Sequence, residues 1–165
     1  MTCHEILGFM SPALSTKILD DLFEADKPTY RAALAAVAGA RRVRPVFLER
    51  QPRAERHPAM IATLARPSLE DAAGTLLRTW LLKKHTPLIT DFLDALGIAH
   101  RDGVVDGLPD GVEDAKLKAA VEKVLAAHPH EVVAAYLYAF NHMNDTRWAN
   151  LDQMLASDPR LQLAG

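Results

Sequence analysis

Residues 80–109, WLLKKHTPLITDFLDALGIAHRDGVVDGLP, restrict the fold more than any other stretch of the chain. An apolar stripe through Leu76, Leu77, Trp80 and Leu81 ends there, and Thr86-Pro87 restarts a helix at once. Leu88, Ile89, Phe92, Leu93 and Leu96 then repeat at three- and four-residue spacing, so they line one helix face. Gly97 supplies the left-handed residue that stops the helix, and Ile98 the apolar contact of a Schellman motif. Two helices joined by so short a link must meet in a tight corner.

The same punctuation recurs along the chain. Ser11-Pro12, Asp26-Lys27-Pro28, Pro45, Pro58, the box-like Ser68-Leu69-Glu70-Asp71, Pro129 and Asn144-Asp145 each precede apolar residues at helical spacing. Gly39 reads as a stop, and Pro45 and Pro52 hold the Arg-rich segment to short helical pieces. Aromatic residues are only 6% of the chain, which favours helix–helix packing over sheet. The expectation is an all-α fold, a compact irregular (orthogonal) array of eight or nine short-to-medium helices with residues 68–85 at its centre. A small loop or mini-hairpin is expected near 98–109, a short disorder-prone tail at about 158–165, and one helical domain over 1–165. Helix starts near 12, 28, 45, 58, 69, 87, 112, 129 and 146 are unevenly spaced, against a fixed-period repeat. Tyr136, Phe140 and Trp148 fall on inward stripes, and Tyr138 falls off its stripe and is expected to be exposed.

No stretch approaches the roughly 20 apolar residues that cross a bilayer, so no membrane association is expected. His4 and Glu5 stand where a secretory signal would carry basic residues. The single cysteine, Cys3, fits a reducing compartment, and the expected location is cytoplasmic.

A net charge of −2 conceals an uneven distribution. Residues 41–57 carry six Arg against Glu49 and Glu55, a balance of +4, while 1–40, 58–110 and 111–165 each sum to −2. Arg41, Arg42, Arg44, Arg50, Arg53 and Arg56 therefore form a candidate partner-binding patch. Arg41, Arg42 and Arg44 are expected to pair with Asp20, Asp21 and Glu24, and Glu49 and Glu55 to neutralise nearby Arg. Phe47 and Leu48 are expected to be buried. Nucleic acid ranks below a protein partner because the pI is about 6.4 and proline corners fragment the segment.

The loop after Ile98 gathers His100, Arg101, Asp102 and Asp106. Asp102-Gly103 is a turn signal, and Val104-Val105 could pair with Ile98-Ala99. That would put His100 and Asp102 on one face with Asp106 folding back, and His142 could join from the C-terminal corner. A histidine beside a carboxylate is the arrangement of a general base. The competing account is a plain turn with His100 and Arg101 facing water. No GxSxG serine or Gly-rich phosphate loop is present. The seven His, at 4, 57, 85, 100, 128, 130 and 142, include no pair at i, i+3 or i, i+4, so neither a metal nor a cofactor is expected. The leading functional expectation is a non-catalytic protein–protein interaction or adaptor module, homodimerisation included. A small-ligand binder or enzyme using loop 100–106 comes second, and nucleic-acid binding through 41–56 third.

Overall fold

The computed structural model describes residues 1–164, which form ten α-helices, two short 3-10 helices and no strands. The fold is all-α. The chain packs as two compact units, residues 1–80 with Ala164, and residues 81–163.

The first unit holds α1 (Cys3–Phe9), α2 (Pro12–Ala25), α3 (Lys27–Arg41), α4 (Pro45–Glu49), α5 (Arg53–Leu64), a 3-10 turn (Pro67–Leu69) and the start of α6 (Glu70–Lys84). Two starts use the caps read from sequence: Ser11 Oγ accepts from the Leu14 N–H, and Asp26 Oδ1 from the Thr29 N–H. Helix α1, seven residues long, is too short to show a periodic stripe in the sequence. Its first N–H groups, those of Cys3 and His4, donate to the Glu70 carboxylate at 2.9 and 2.8 Å, a cap supplied from far along the chain. Ile18, Leu19, Leu22, Val37, Met60, Leu64 and Trp80 fill the core, and the Trp80 indole N–H donates to Asp21.

Three boundaries in this unit differ from expectation. Pro58 lies inside α5, which begins at Arg53 behind the N-cap Pro52. The acceptor left without a donor is the Ala54 carbonyl of an exposed residue, so water can satisfy it, while Met60, Ile61 and Leu64 are buried on another face. Gly39 does not stop α3, which runs on to Arg41. Ser68 makes no capping bond and sits in the 3-10 turn.

The second unit holds α7 (Thr86–Ala95), α8 (Asp114–Ala127), α9 (His130–Met143), α10 (Ala149–Ser157) and a second 3-10 turn (Pro159–Leu161). The α7 stop is as read: Gly97 has φ +70°, its N–H reaches Asp94 O, and the Ile98 N–H reaches Leu93 O. Phe92 meets Tyr136 and Phe140 edge to face at 5.7 and 5.4 Å, and Phe140 meets Trp148 at 5.1 Å. Tyr138 is half-buried, because its hydroxyl donates to Leu155 O. Within the expected tail at about 158–165, residues 158–161 are anchored: Leu161 is fully buried, and the Arg160 guanidinium bonds Glu122 and Asp158, while position 165 lies outside the described residues.

Asn144 and Asp145 do not cap the last helix. Asn144 Oδ1 closes a local turn on Thr146, and α10 starts later, behind Trp148. The α9–α10 corner is instead held by buried Asn141, which accepts the Trp148 N–H at 2.9 Å and donates to Trp148 O and Asp152. Asn141→Ala leaves both Trp148 backbone groups buried without these partners, and urea denaturation is expected to show a loss of about 2–3 kcal/mol.

Candidate interaction surface at the α3–α4 corner

Helix α3 ends in a Schellman motif whose left-handed position is occupied by Arg42, at φ 57°, ψ 42°. The Arg42 N–H bonds Gly39 O and the Val43 N–H bonds Ala38 O. A non-glycine residue held in this region costs about 1 kcal/mol. Val43 does not pack back on α3, as the residue after such a stop often does; it is 39% exposed. Pro45 then opens the five-residue α4.

Leu48 anchors α4 by burial, but Phe47 points outward, 57% exposed, with Val46 at 40%. The expectation that Phe47 is buried is thus corrected: a single turn of helix can bury one face, and Leu48 takes it. Val43, Val46 and Phe47 form an apolar strip at the corner. Behind it, Arg56 of α5 is only 7% exposed, and its Nη1 donates to Glu49 O at 2.9 Å and Gln51 O at 3.2 Å. These are carbonyls at the end of α4 that lack intrahelical partners, where a cation is favoured.

The six candidate arginines have different fates. Arg41 turns inward, donating to Thr63 Oγ1 at 2.8 Å and Ala59 O at 2.7 Å. Arg53 lies over the Phe23 ring at 3.8 Å and pairs with Glu24 at 3.1 Å. Arg56 is structural. Arg42, Arg44 and Arg50 are exposed, and among the described residues no carboxylate pairs with them. The expected ties from Arg41, Arg42 and Arg44 to Asp20, Asp21 and Glu24 are absent, because Arg53 occupies Glu24 and Arg41 finds neutral acceptors on α5. Glu49 and Glu55 make no ion pair with the cluster either.

Next to Arg56, His57 is 1% exposed and joins three helices. Its Nδ1–H donates to Asp20 of α2 at 2.6 Å, and its Nε2 accepts the hydroxyl of Tyr30 of α3 at 2.8 Å. This tautomer suits the pair, since burial raises the Tyr30 pKa and keeps its proton in place. Burial also holds the His57 pKa below the ordinary value, outweighing the upward pull of Asp20. The unfolded chain therefore binds more protons than the folded one between the folded value and about 6.5. The stability contributed by neutral His57 is present above that range and lost as pH falls through it. Urea midpoints are expected to drop from pH 7 to pH 5, and His57→Gln, which hydrogen-bonds without titrating, to flatten that drop.

In the second unit, loop 100–106 is a tight turn. Arg101 and Val104 exchange both backbone hydrogen bonds, with Asp102 at φ 51° and Gly103 at φ 88° between them. The hairpin is thus smaller than expected and does not involve Ile98-Ala99. The carboxylate beside His100 is Asp94, at 2.7 Å from Nε2, and not Asp102. The Gly103 N–H donates to His100 Nδ1 at 3.1 Å, so both ring nitrogens are used within the turn and its support. Asp102 is exposed, Asp106 reaches only Arg101 at 3.7 Å, and His142 is half-buried near the end of α9. A Cβ at Gly103 would lie 2.8 Å from Ile89 Cγ2. Gly103→Ala combines that clash with a strained backbone and is expected to lower stability by about 3 kcal/mol in a denaturant titration.

The signal that sequence reading missed is Phe47, since periodicity in a five-residue helix cannot separate an inward from an outward ring. No protein-family model, curated protein or solved structure matches this chain.

Proposed function

We propose that this chain is a non-catalytic protein–protein interaction module and that the α3–α4 corner is its binding surface. The observation that carries this reading is the outward Phe47, with Val46, on a helix held by buried Arg56, just after exposed Val43. Interfaces concentrate energy in a few aromatic and arginine side chains, and this corner offers both. Covering Phe47 is worth about 2 kcal/mol. Because α4 is already held in place, little further ordering opposes binding.

Loop 100–106 offers less for catalysis, as His100 has both ring nitrogens engaged and Asp102 turns the backbone. The buried, free Cys3 accords with a reducing compartment such as the cytoplasm.

Site-specific photo-crosslinking tests the proposal. A benzophenone side chain placed at position 47 in producing cells is expected to give a discrete protein adduct, with none from exposed position 126 on α8. Absence of an adduct at 47 would refute the reading. Phe47→Ser should abolish binding while shifting stability by less than about 0.5 kcal/mol, as the ring is exposed.

A further inference from the structure

Resting on that reading, we infer that the corner takes an acidic amphipathic helix of a partner protein. The partner's apolar side chains cover Val43, Val46 and Phe47, and its carboxylates meet Arg42, Arg44 and Arg50.

Charge complementarity argues for this occupant. Arg42, Arg44 and Arg50 flank the apolar residues in sequence, are exposed, and have no carboxylate partner among the described residues. Each guanidinium presents a fork of donors suited to a carboxylate. Buried Arg56 lies behind the same corner, donates to the backbone carbonyls of Glu49 and Gln51 with no carboxylate partner among the described residues, and adds positive potential. Val43, in the bend before α4, and Val46 and Phe47 on α4 are exposed within five residues, and a partner helix can lay its apolar anchors against them.

An independent observation is the residue at the α3 stop. Arg42 holds a left-handed conformation that glycine adopts without strain, and Gly97 fills the equivalent position at the α7 stop. Among the described residues Asp102 and Arg147 also have positive φ; at Arg42 this backbone fixes a cation next to exposed Val43.

Two other classes of partner fit less well. A nucleic acid needs several phosphate contacts for useful affinity and gains little from two valines. An anionic membrane needs a longer apolar face than the one turn of α4.

The test is an NMR titration of the full chain with four probes. They are a synthetic amphipathic helix with Leu on one face and Glu on the other, the same peptide with every Glu changed to Gln, oligo(dT), and phosphatidylcholine–phosphatidylserine vesicles. The Glu peptide is expected to shift amides of residues 42–50, and the Gln peptide to bind at least about tenfold more weakly. Arg44→Glu with Arg50→Glu should cost a similar factor. Arg42→Gly should raise the thermal midpoint while weakening the Glu peptide several-fold. No shift with the Glu peptide, equal affinity for the Gln peptide, unchanged affinity in Arg42→Gly, or tighter binding of oligo(dT) or vesicles each overturns the inference. So does Phe47-dependent self-association in sedimentation, which would make a second copy the occupant. If the peptide fails while the adduct at position 47 persists, only the acidic chemistry falls; if both fail, the interaction reading falls with it.

Discussion

Arg56 is the residue on which the α3–α4 corner depends. A buried guanidinium carries a desolvation penalty of order several kcal/mol, and no carboxylate offsets it here. What offsets it is the end of α4: the Glu49 and Gln51 carbonyls point at Nη1, and the Tyr30 ring lies 5.9 Å from the guanidinium carbon. The interaction works in both directions. The cation is tolerated because a helix end supplies acceptors, and a five-residue helix, too short to stand alone, persists because a cation closes its end.

The neighbouring residue follows from this arrangement. His57 is buried beside Arg56, and a second positive charge there would compound the desolvation cost. A neutral imidazole avoids that and still offers one donor and one acceptor. Asp20 on α2 takes the first and Tyr30 on α3 supplies the second. Two consecutive residues of α5 thus fasten α2, α3 and α4. Arg56 was read from the sequence as part of a surface patch, yet both residues are interior.

That outcome marks what a sequence of this type discloses. Helix starts at Pro12, Pro28, Pro45 and Pro87 and the stop at Gly97 were legible because each rests on local backbone chemistry. Pro58 and Gly39 misled because tertiary burial outweighed the local preference: α5 buries Met60, Ile61 and Leu64 across the proline, and α3 extends to place Arg41 against α5. The all-α class was therefore readable while individual boundaries were not. Within the candidate site, the basic character of 41–56 was plain. Which arginines stay at the surface was not, because that depends on acceptors such as Ala59 O and Thr63 Oγ1 that meet them only in the fold. Phe47 was misplaced because α4 is too short for periodicity to show which face is buried, and Leu48 takes that face.

The two Schellman stops show how local stability and surface chemistry can diverge. At α7 the left-handed position holds Gly97, and the following Ile98 is buried at 9% exposure, so the stop serves packing alone. At α3 the same backbone geometry holds Arg42, and the following Val43 remains in water. Glycine would relieve the first residue's strain, and a polar residue would suit the second residue's exposure. Neither is present, so folding alone does not account for the pair. Both departures put cationic and apolar surface at the corner where Phe47 projects. A partner that covers this surface would bury the exposed Val43 and engage Arg42 in one step, which local stability within the chain cannot do.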